Sequence, residues 1–176
     1  MIFVQNSPEL VHDSTLFSIL VTNSADFVIL PDNPDPENKK QVVIPAHKDL
    51  MIMLPYFRAQ LNKGSDWKEL RSKTMLEVTV PLKVDPKAVF SFVESIYDKK
   101  LKPLTQENCI DILKLSIFWC DDFMIEQSKH FIADNLNAEM CQVICSDFEI
   151  SHHLQNLMTE VFKCAFSSNR KYDGMD

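Results

Sequence analysis

The hydrophobic positions in the first half of the chain switch between strand-like and helix-like spacing. Residues 25–30 form a short apolar run that predicts a strand, and residues 41–45 predict a second strand that returns as a hairpin. Between them, residues 31–40 contain three prolines and two asparagines, which favour turns and oppose a β-ladder. Residues 76–80 alternate apolar and polar side chains, which predicts a half-buried third strand.

Helical spacing surrounds these strands. The first predicted helix precedes Asn23 and Ser24, and its apolar side chains are Leu16, Phe17, Ile19 and Leu20. Two short helices are predicted over residues 48–54 and Pro55–Asn62, because proline is well tolerated in the first turn of a helix. After the third strand, Asp85 and Pro86 open another helix as N-cap and first helical residue. Its apolar stripe is Val89, Phe92, Val93, Ile96 and Tyr97.

The remainder of the chain is predicted to be nearly all helix. Thr105 is expected to cap the next helix, with Asn108 three positions later where Glu or Gln is preferred. Asp121 and Asp122 start another helix, and residues 138–167 form two more amphipathic helices. The apolar positions assigned to these helices are Ile110, Leu113, Ile117, Phe118, Ile125, Phe131, Ile132, Leu136, Cys141, Ile144, Leu154, Leu157, Val161 and Phe162.

Composition places the chain among globular proteins and argues against several functions. The 176 residues, 45% of them hydrophobic and 24% charged, suit one domain with a small appendage. A net charge of -7 disfavours both nucleic acid and an anionic membrane surface as partners. No apolar run approaches the roughly 20 residues of a membrane span, and no secretory signal is expected at the N-terminus. With only two glycines, a phosphate-binding loop is not expected.

The five cysteines are expected to be reduced, in a cytoplasmic or nuclear protein. Cys141 and Cys145, with His152 and His153, have a spacing compatible with zinc. Both cysteines fall on the predicted apolar stripe, however, where a thiol acts as a small hydrophobe. A cysteine nucleophile would need a positioned base and an oxyanion loop, and no such motif is visible. We therefore expect no metal, no cofactor and no enzymatic activity.

The most specific pattern in the chain lies in three ordered segments. Residues 46–48 read Ala-His-Lys, residues 55–59 read Pro-Tyr-Phe-Arg-Ala, and residues 84–90 read Val-Asp-Pro-Lys-Ala-Val-Phe. Their order and spacing resemble the BTB/POZ domain family over residues 14–136. The resemblance implies an α+β fold in which a small three-stranded sheet is flanked by a cluster of helices. It also implies a protein–protein interaction module, often a homodimer, with no chemistry of its own.

Residues 137–168 resemble the 3-box, the helix pair that opens the BACK region of BTB ubiquitin-ligase adaptors. In those proteins the pair extends the surface that holds the N-terminal segment of cullin-3. An alternative interpretation is that these helices only cap the domain. Residues 169–176 are polar and are expected to form a flexible tail.

The resemblance also implies where cullin-3 would bind. Trp67 and Glu69 form a hydrophobic–x–Glu triplet with Lys68 in the loop after the second short helix. A large aromatic side chain is a typical binding anchor, and Glu69 offers acceptors to partner amides. Tyr56, Phe118 and Asp122 lie on helices that flank this contact in relatives. The alternatives place Trp67 against its own domain and Tyr56 in the core, and they leave open which of Phe118 and Trp119 faces outward.

Two further groups follow from the same resemblance. Leu16, Phe17 and Leu20 correspond to the helix that forms the dimer interface. Asp26 and Lys48 correspond to a charged pair in a pocket near that interface, which fixes geometry more than it stabilises. The alternative is that Asp26 simply begins a strand while Lys48 is solvated.

The resemblance therefore implies a substrate adaptor of a cullin-3 ubiquitin ligase that self-associates and recruits an unidentified protein substrate. The first alternative is an oligomerisation scaffold without a ligase, in transcription or cytoskeletal organisation. The second is a decoy that occupies cullin-3 without delivering a substrate. A substrate-recruiting domain such as MATH, kelch or ankyrin is not visible in these residues.

Overall fold

A small mixed sheet lies at the centre of the first part of the fold. The computed structural model describes residues 24–32, 42–62, 76–98 and 103–169. Its strands are β1 (Phe27–Pro31), β2 (Ile44–Ala46) and β3 (Leu76–Val80), in the order β2-β1-β3. β1 is antiparallel to β2 and parallel to β3. The predicted class, α+β with a small three-stranded sheet and several helices, is confirmed.

Helices make up most of the rest of the described chain. Their bounds are α1 Lys48–Met51, α2 Pro55–Asn62, α3 Pro86–Tyr97, α4 Cys109–Trp119, α5 Asp122–Asp134, α6 Ala138–Ser146, α7 Phe148–His153 and α8 Met158–Asn169. A short 3-10 helix, Gln155–Leu157, precedes α8. The region predicted to hold two helices therefore holds three, because Asp147 ends α6 and also caps α7.

Burial differs between the central strand and the edge strand β3, for which a half-buried pattern was predicted. Phe27, Val28 and Ile29 of the central strand β1 are all buried, as expected for a strand covered on both faces. In the edge strand β3, Glu77 and Thr79 are exposed while Val80 is buried. The alternation in the sequence therefore gave the correct face of β3.

The start of α3 is confirmed, and the start of α4 is corrected. The Asp85 carboxylate accepts a hydrogen bond from the Lys87 backbone amide at 2.8 Å, as an N-cap does. The N-cap of α4 is Asn108 and not Thr105. The Asn108 side-chain oxygen accepts the Thr105 backbone N–H at 2.8 Å, so the intervening residues form a turn and the helix begins at Cys109.

Two hydrophobic clusters share α4. The first contains buried side chains of the sheet and of α1 to α3, together with Ile112, Leu115 and Trp119 of α4. The second contains Cys109 and Leu113 of α4 with buried side chains of α5 to α8. Residue 137, the predicted start of the 3-box-like segment, lies between α5 and α6, and the buried side chains of α6 to α8 belong to the second cluster, to which α4 contributes Cys109 and Leu113.

The turn between α4 and α5 contains a residue in a costly conformation. Cys120 has φ 57° and ψ 42°, and within the described ranges it is the one non-glycine residue with a positive φ. A side chain with a Cβ costs about 1 kcal/mol in this left-handed region, whereas glycine adopts it freely.

Cys120→Gly is therefore expected to raise the free energy of unfolding by about 1 kcal/mol, measured by urea denaturation. Cys145→Gly, at an exposed position inside α6, should instead lower it by a few tenths. A lower urea midpoint for Cys120→Gly would contradict this account.

Candidate protein-interaction site

Two of the predicted contact residues lie side by side although they are distant in the sequence. Tyr56 is in the first turn of α2, and Phe118 is in the last turn of α4. Their ring centroids are 4.9 Å apart at an interplanar angle of 39°, and both side chains are half-buried. The Tyr56 ring also meets the buried Phe57 ring edge-on at 5.1 Å. The pair is therefore a surface feature that is supported from beneath by the core.

The corner between α4 and α5 fixes which aromatic side chain faces inward. Trp119 is fully buried, while its neighbour Phe118 is half-buried and Cys120 is exposed. The Asp121 carboxylate accepts the Met124 backbone N–H at 3.1 Å, so α5 begins directly after the turn. Asp122, the first residue of α5, is exposed.

Phe123 belongs to the same corner and was not singled out from the sequence. It is 71% exposed at the second position of α5. The core face of this helix is formed by Met124, Ser128 and Ile132. The spacing of those three residues leaves Phe123 outside the buried stripe. The periodicity of apolar residues in the sequence would therefore have been enough to predict that Phe123 is exposed.

The turn before α2 presents a second exposed apolar side chain. Met53 is 51% exposed. The Arg58 guanidinium donates to the Ile52 carbonyl at 3.2 Å and to the Met53 carbonyl at 3.1 Å. Arg58, the arginine of the Tyr-Phe-Arg-Ala motif, therefore holds the turn between α1 and α2 in place.

Asp26 and Lys48 are in contact, but through the main chain of Lys48. The Asp26 Oδ1 atom accepts the Lys48 backbone N–H at 2.8 Å. This bond joins the residue before β1 to the first turn of α1. The sequence interpretation paired the two side-chain charges. In the structure, the Asp26 carboxylate instead binds the Lys48 backbone amide and so holds the start of α1.

His47, between these elements, is the centre of a polar network. Its backbone N–H donates to the Tyr97 hydroxyl at 2.8 Å, its Nδ1 lies 2.9 Å from that hydroxyl, and its Nε2 lies 2.9 Å from Ser24 Oγ. His47 is thus held through its main chain and through both ring nitrogens. Burial raises the pKa of Tyr97, more than the His47 amide lowers it, so the phenol keeps its proton. The network therefore positions β2 against α3.

The predicted cullin-binding loop and the predicted dimer helix both belong to parts of the chain that the structure does not describe. Trp67 and Glu69 lie outside the described residues, as do Leu16, Phe17 and Leu20. The cullin-binding triplet and the dimer helix therefore stay predictions from the sequence.

The cysteines have two different environments. Cys141 is buried on the core face of α6, whereas Cys145 is exposed, so the expectation that both lie on the apolar stripe is wrong for Cys145. Burial raises the pKa of the Cys141 thiol to about 12 and that of Cys109 to about 11. Both thiols are therefore protonated at neutral pH. Within the described ranges, no group of three or more His, Cys, Asp or Glu side chains is placed to hold a metal ion.

An ion pair ties the C-terminal helices to α4. Lys114 Nζ lies 3.2 Å from an Asp147 carboxylate oxygen, and the other oxygen accepts the Ile150 backbone N–H at 3.2 Å. Burial would raise the pKa of Asp147, but the Ile150 amide and the Lys114 ammonium outweigh it and lower the pKa below its ordinary value. The ionised carboxylate therefore stabilises the junction of α6, α7 and α4.

The stability contributed by Asp147 is expected to depend on pH. Because the folded state lowers its pKa, the contribution is present above the unfolded pKa of about 3.9 and is lost as pH falls through the folded value. Asp147→Asn should lower the urea midpoint at pH 7, and the difference from the unchanged chain should shrink towards pH 2.5. Lys114→Met, alone and combined with Asp147→Asn, tests whether the ammonium is the partner. An equal difference at both pH values would contradict the role given to the charge.

Comparison of the chain with protein-family models and with curated proteins gave no match. In the parts of the chain that the structure describes, no helix has both the length and the apolar character of a transmembrane span.

Proposed function

We propose that this chain is a BTB/POZ-type adaptor that binds the N-terminal region of cullin-3, self-associates and recruits a protein substrate. Ubiquitin transfer is then carried out by other subunits of the ligase, in the cytoplasm or the nucleus. The observation that supports the proposal best is the stacked, half-buried pair Tyr56 and Phe118, with the exposed Asp122 at the start of the next helix. These are three of the residues expected to flank the cullin contact.

The physical character of this pair suits a docking site. Tyr56 and Phe118 both pack against the first hydrophobic cluster, and the Tyr56 ring contacts Phe57 directly. Phe57 and Trp119 are fully buried in that cluster, with ring centroids 5.5 Å apart. Aromatic side chains held in this way lose little conformational entropy on binding and offer a large apolar area. Interfaces commonly concentrate their binding energy in such anchors.

The arrangement of the BTB-like segments supports the family proposal. The Ala-His-Lys segment spans the end of β2 and the start of α1, and Pro-Tyr-Phe-Arg-Ala begins α2. The third segment reaches α3 through Asp85, whose backbone N–H donates to Asp111 of α4 at 2.8 Å. The three segments therefore surround one core, as expected of motifs that specify a fold together.

The direct test is to mix the purified chain with a cullin-3 N-terminal fragment and to measure molar mass by light scattering. The chain alone should have the mass of a dimer, and the mixture should contain a complex of both proteins. A dimer that does not bind the fragment would overturn the adaptor proposal and favour the oligomerisation scaffold. A monomer that binds the fragment would overturn self-association alone.

A further inference from the structure

Two cysteine thiols meet where α6 packs on α8. Cys141 is buried on the core face of α6, together with Ile144 one turn later. Val161 of α8 is also buried, and Cys164 follows it by one turn on the same face, where it is half-buried. The thiols of Cys141 and Cys164 are hydrogen-bonded to each other across this pair of helices. They are therefore neighbours in space although they belong to different helices.

The other cysteines near Cys141 are less suited to pair with it. Cys145 lies one turn after Cys141 on α6, and side chains at that spacing have Cβ atoms about 5–6 Å apart. A disulfide needs about 3.5–4.5 Å between its Cβ atoms, so this pair would require the helix to unwind. The Cys109 thiol donates to the Gln106 carbonyl at 3.7 Å, near the start of α4. The geometry therefore selects Cys164 as the partner of Cys141.

The two paired thiols differ in their access to solvent. Cys164 is half-buried and can be reached by a small dissolved molecule, whereas Cys141 is fully buried. The pKa of the Cys141 thiol is raised to about 12, chiefly by burial and further by the hydrogen bond to Cys164. The thiolate is the attacking form in thiol–disulfide exchange. An oxidant should therefore react first at Cys164, and Cys141 follows as the second nucleophile.

We propose that Cys141 and Cys164 form a reversible redox modification site, in which a low-molecular-mass disulfide such as glutathione disulfide cross-links α6 to α8. The Cys164 thiolate attacks one glutathione sulfur, breaks the glutathione S–S bond and releases one glutathione. Cys141 then loses its proton to solvent and attacks the Cys164 sulfur, which releases the second glutathione. Two cysteine sulfurs are oxidised and two glutathione sulfurs are reduced. The contact between the thiols gives the second step a high effective concentration, which offsets the small thiolate fraction of Cys141.

The cross-link would close a loop that contains α7 and the 3-10 helix. A disulfide restricts the unfolded chain and thereby stabilises the folded one. All five cysteines are reduced in this structure, so the disulfide is a second state of the chain that forms under oxidising conditions. The site is independent of the proposed adaptor role, and its test needs no partner protein.

The test uses the purified full chain at low concentration, in glutathione buffers with an increasing oxidised fraction. Peptide mapping after acid quenching should find Cys141 joined to Cys164. The urea midpoint of the oxidised chain should rise, and dithiothreitol should reverse both changes. Cys164→Ser should show neither the cross-link nor the rise. Cys120→Ser and Cys145→Ser are matched controls at exposed positions, and both should still form the cross-link.

The outcomes decide both the pair and its redox activity. A disulfide from Cys141 to Cys145 or to Cys120 would overturn the assigned pair. The proposal also fails if the folded, unchanged chain forms no internal disulfide in fully oxidised glutathione. An equal rise of the urea midpoint in oxidised Cys164→Ser would show that the stabilisation has another origin. The peptide map of the unchanged chain decides the pair even if a variant does not fold.

Discussion

Trp119→Ala is expected to lower the free energy of unfolding by about 3–5 kcal/mol, the largest stability loss among the substitutions considered. Trp119 is fully buried, and its ring centroid lies 5.5 Å from that of Phe57 and 4.9 Å from that of Phe92. Truncation removes these aromatic contacts and leaves a cavity where α2, α3 and α4 meet. A small domain has about 5–15 kcal/mol of stability in total. The variant should therefore be close to unfolding at room temperature.

Urea denaturation followed by far-UV circular dichroism measures this loss. Trp119→Phe should cost clearly less, because it keeps an aromatic ring and the Trp119 Nε1 atom has no hydrogen-bond partner within the described structure. Phe148→Ala is the matched aromatic control, since Phe148 is 89% exposed, and it should change stability by less than about 0.5 kcal/mol. A loss below about 1 kcal/mol for Trp119→Ala would show that the core is not organised around this residue.

The elements predicted correctly from the sequence are those that local signals define. Asp85 and Pro86 specify the start of α3 because a cap and a fixed φ act within a few residues. The alternation at residues 76–80 determines which side of β3 is buried, because successive side chains of a strand point to opposite faces. Neither signal depends on the rest of the chain.

The parts that sequence reasoning missed depend on packing between distant elements. α4 is apolar on almost every side because it serves two clusters, so its pattern does not reveal whether Phe118 or Trp119 faces inward. That choice is made by α2, which brings Phe57 against Trp119 and Tyr56 against Phe118. The break between α6 and α7 at Asp147 did have a local signal in the sequence. An aspartate is a typical N-cap residue, and the Asp147 carboxylate accepts the backbone N–H of Ile150, three residues later. The sequence interpretation merged two helices there.

The candidate site and the core are therefore parts of one arrangement. The same helix end places Trp119 beneath the surface and Phe118 on it, and the following turn directs Phe123 outward. A substitution that loosens Trp119 should consequently weaken partner binding as well as stability. For this reason, binding measurements on core variants need a parallel measurement of folding.

Trp67→Ala is expected to have the largest effect on binding, weakening the complex with the cullin-3 N-terminal fragment by about 30-fold or more. The expectation comes from the sequence, in which Trp67 and Glu69 form the hydrophobic–x–Glu triplet of the BTB resemblance. An indole desolvated in a partner pocket is the kind of contact whose truncation costs 2 kcal/mol or more. Titration calorimetry gives the affinity, and light scattering on the same sample gives the mass of the chain.

The same variant separates the adaptor from its alternatives. Self-association should be unchanged in Trp67→Ala, because the predicted dimer helix with Leu16, Phe17 and Leu20 is a different segment of the chain. Glu69→Gln should weaken binding less, since an amide still offers one acceptor oxygen. If Trp67→Ala binds the fragment as tightly as the unchanged chain, the triplet is not the anchor. The binding energy would then have to come from the surface formed by Tyr56 and Phe118, which the calorimetric titration of Phe118→Ala would reveal.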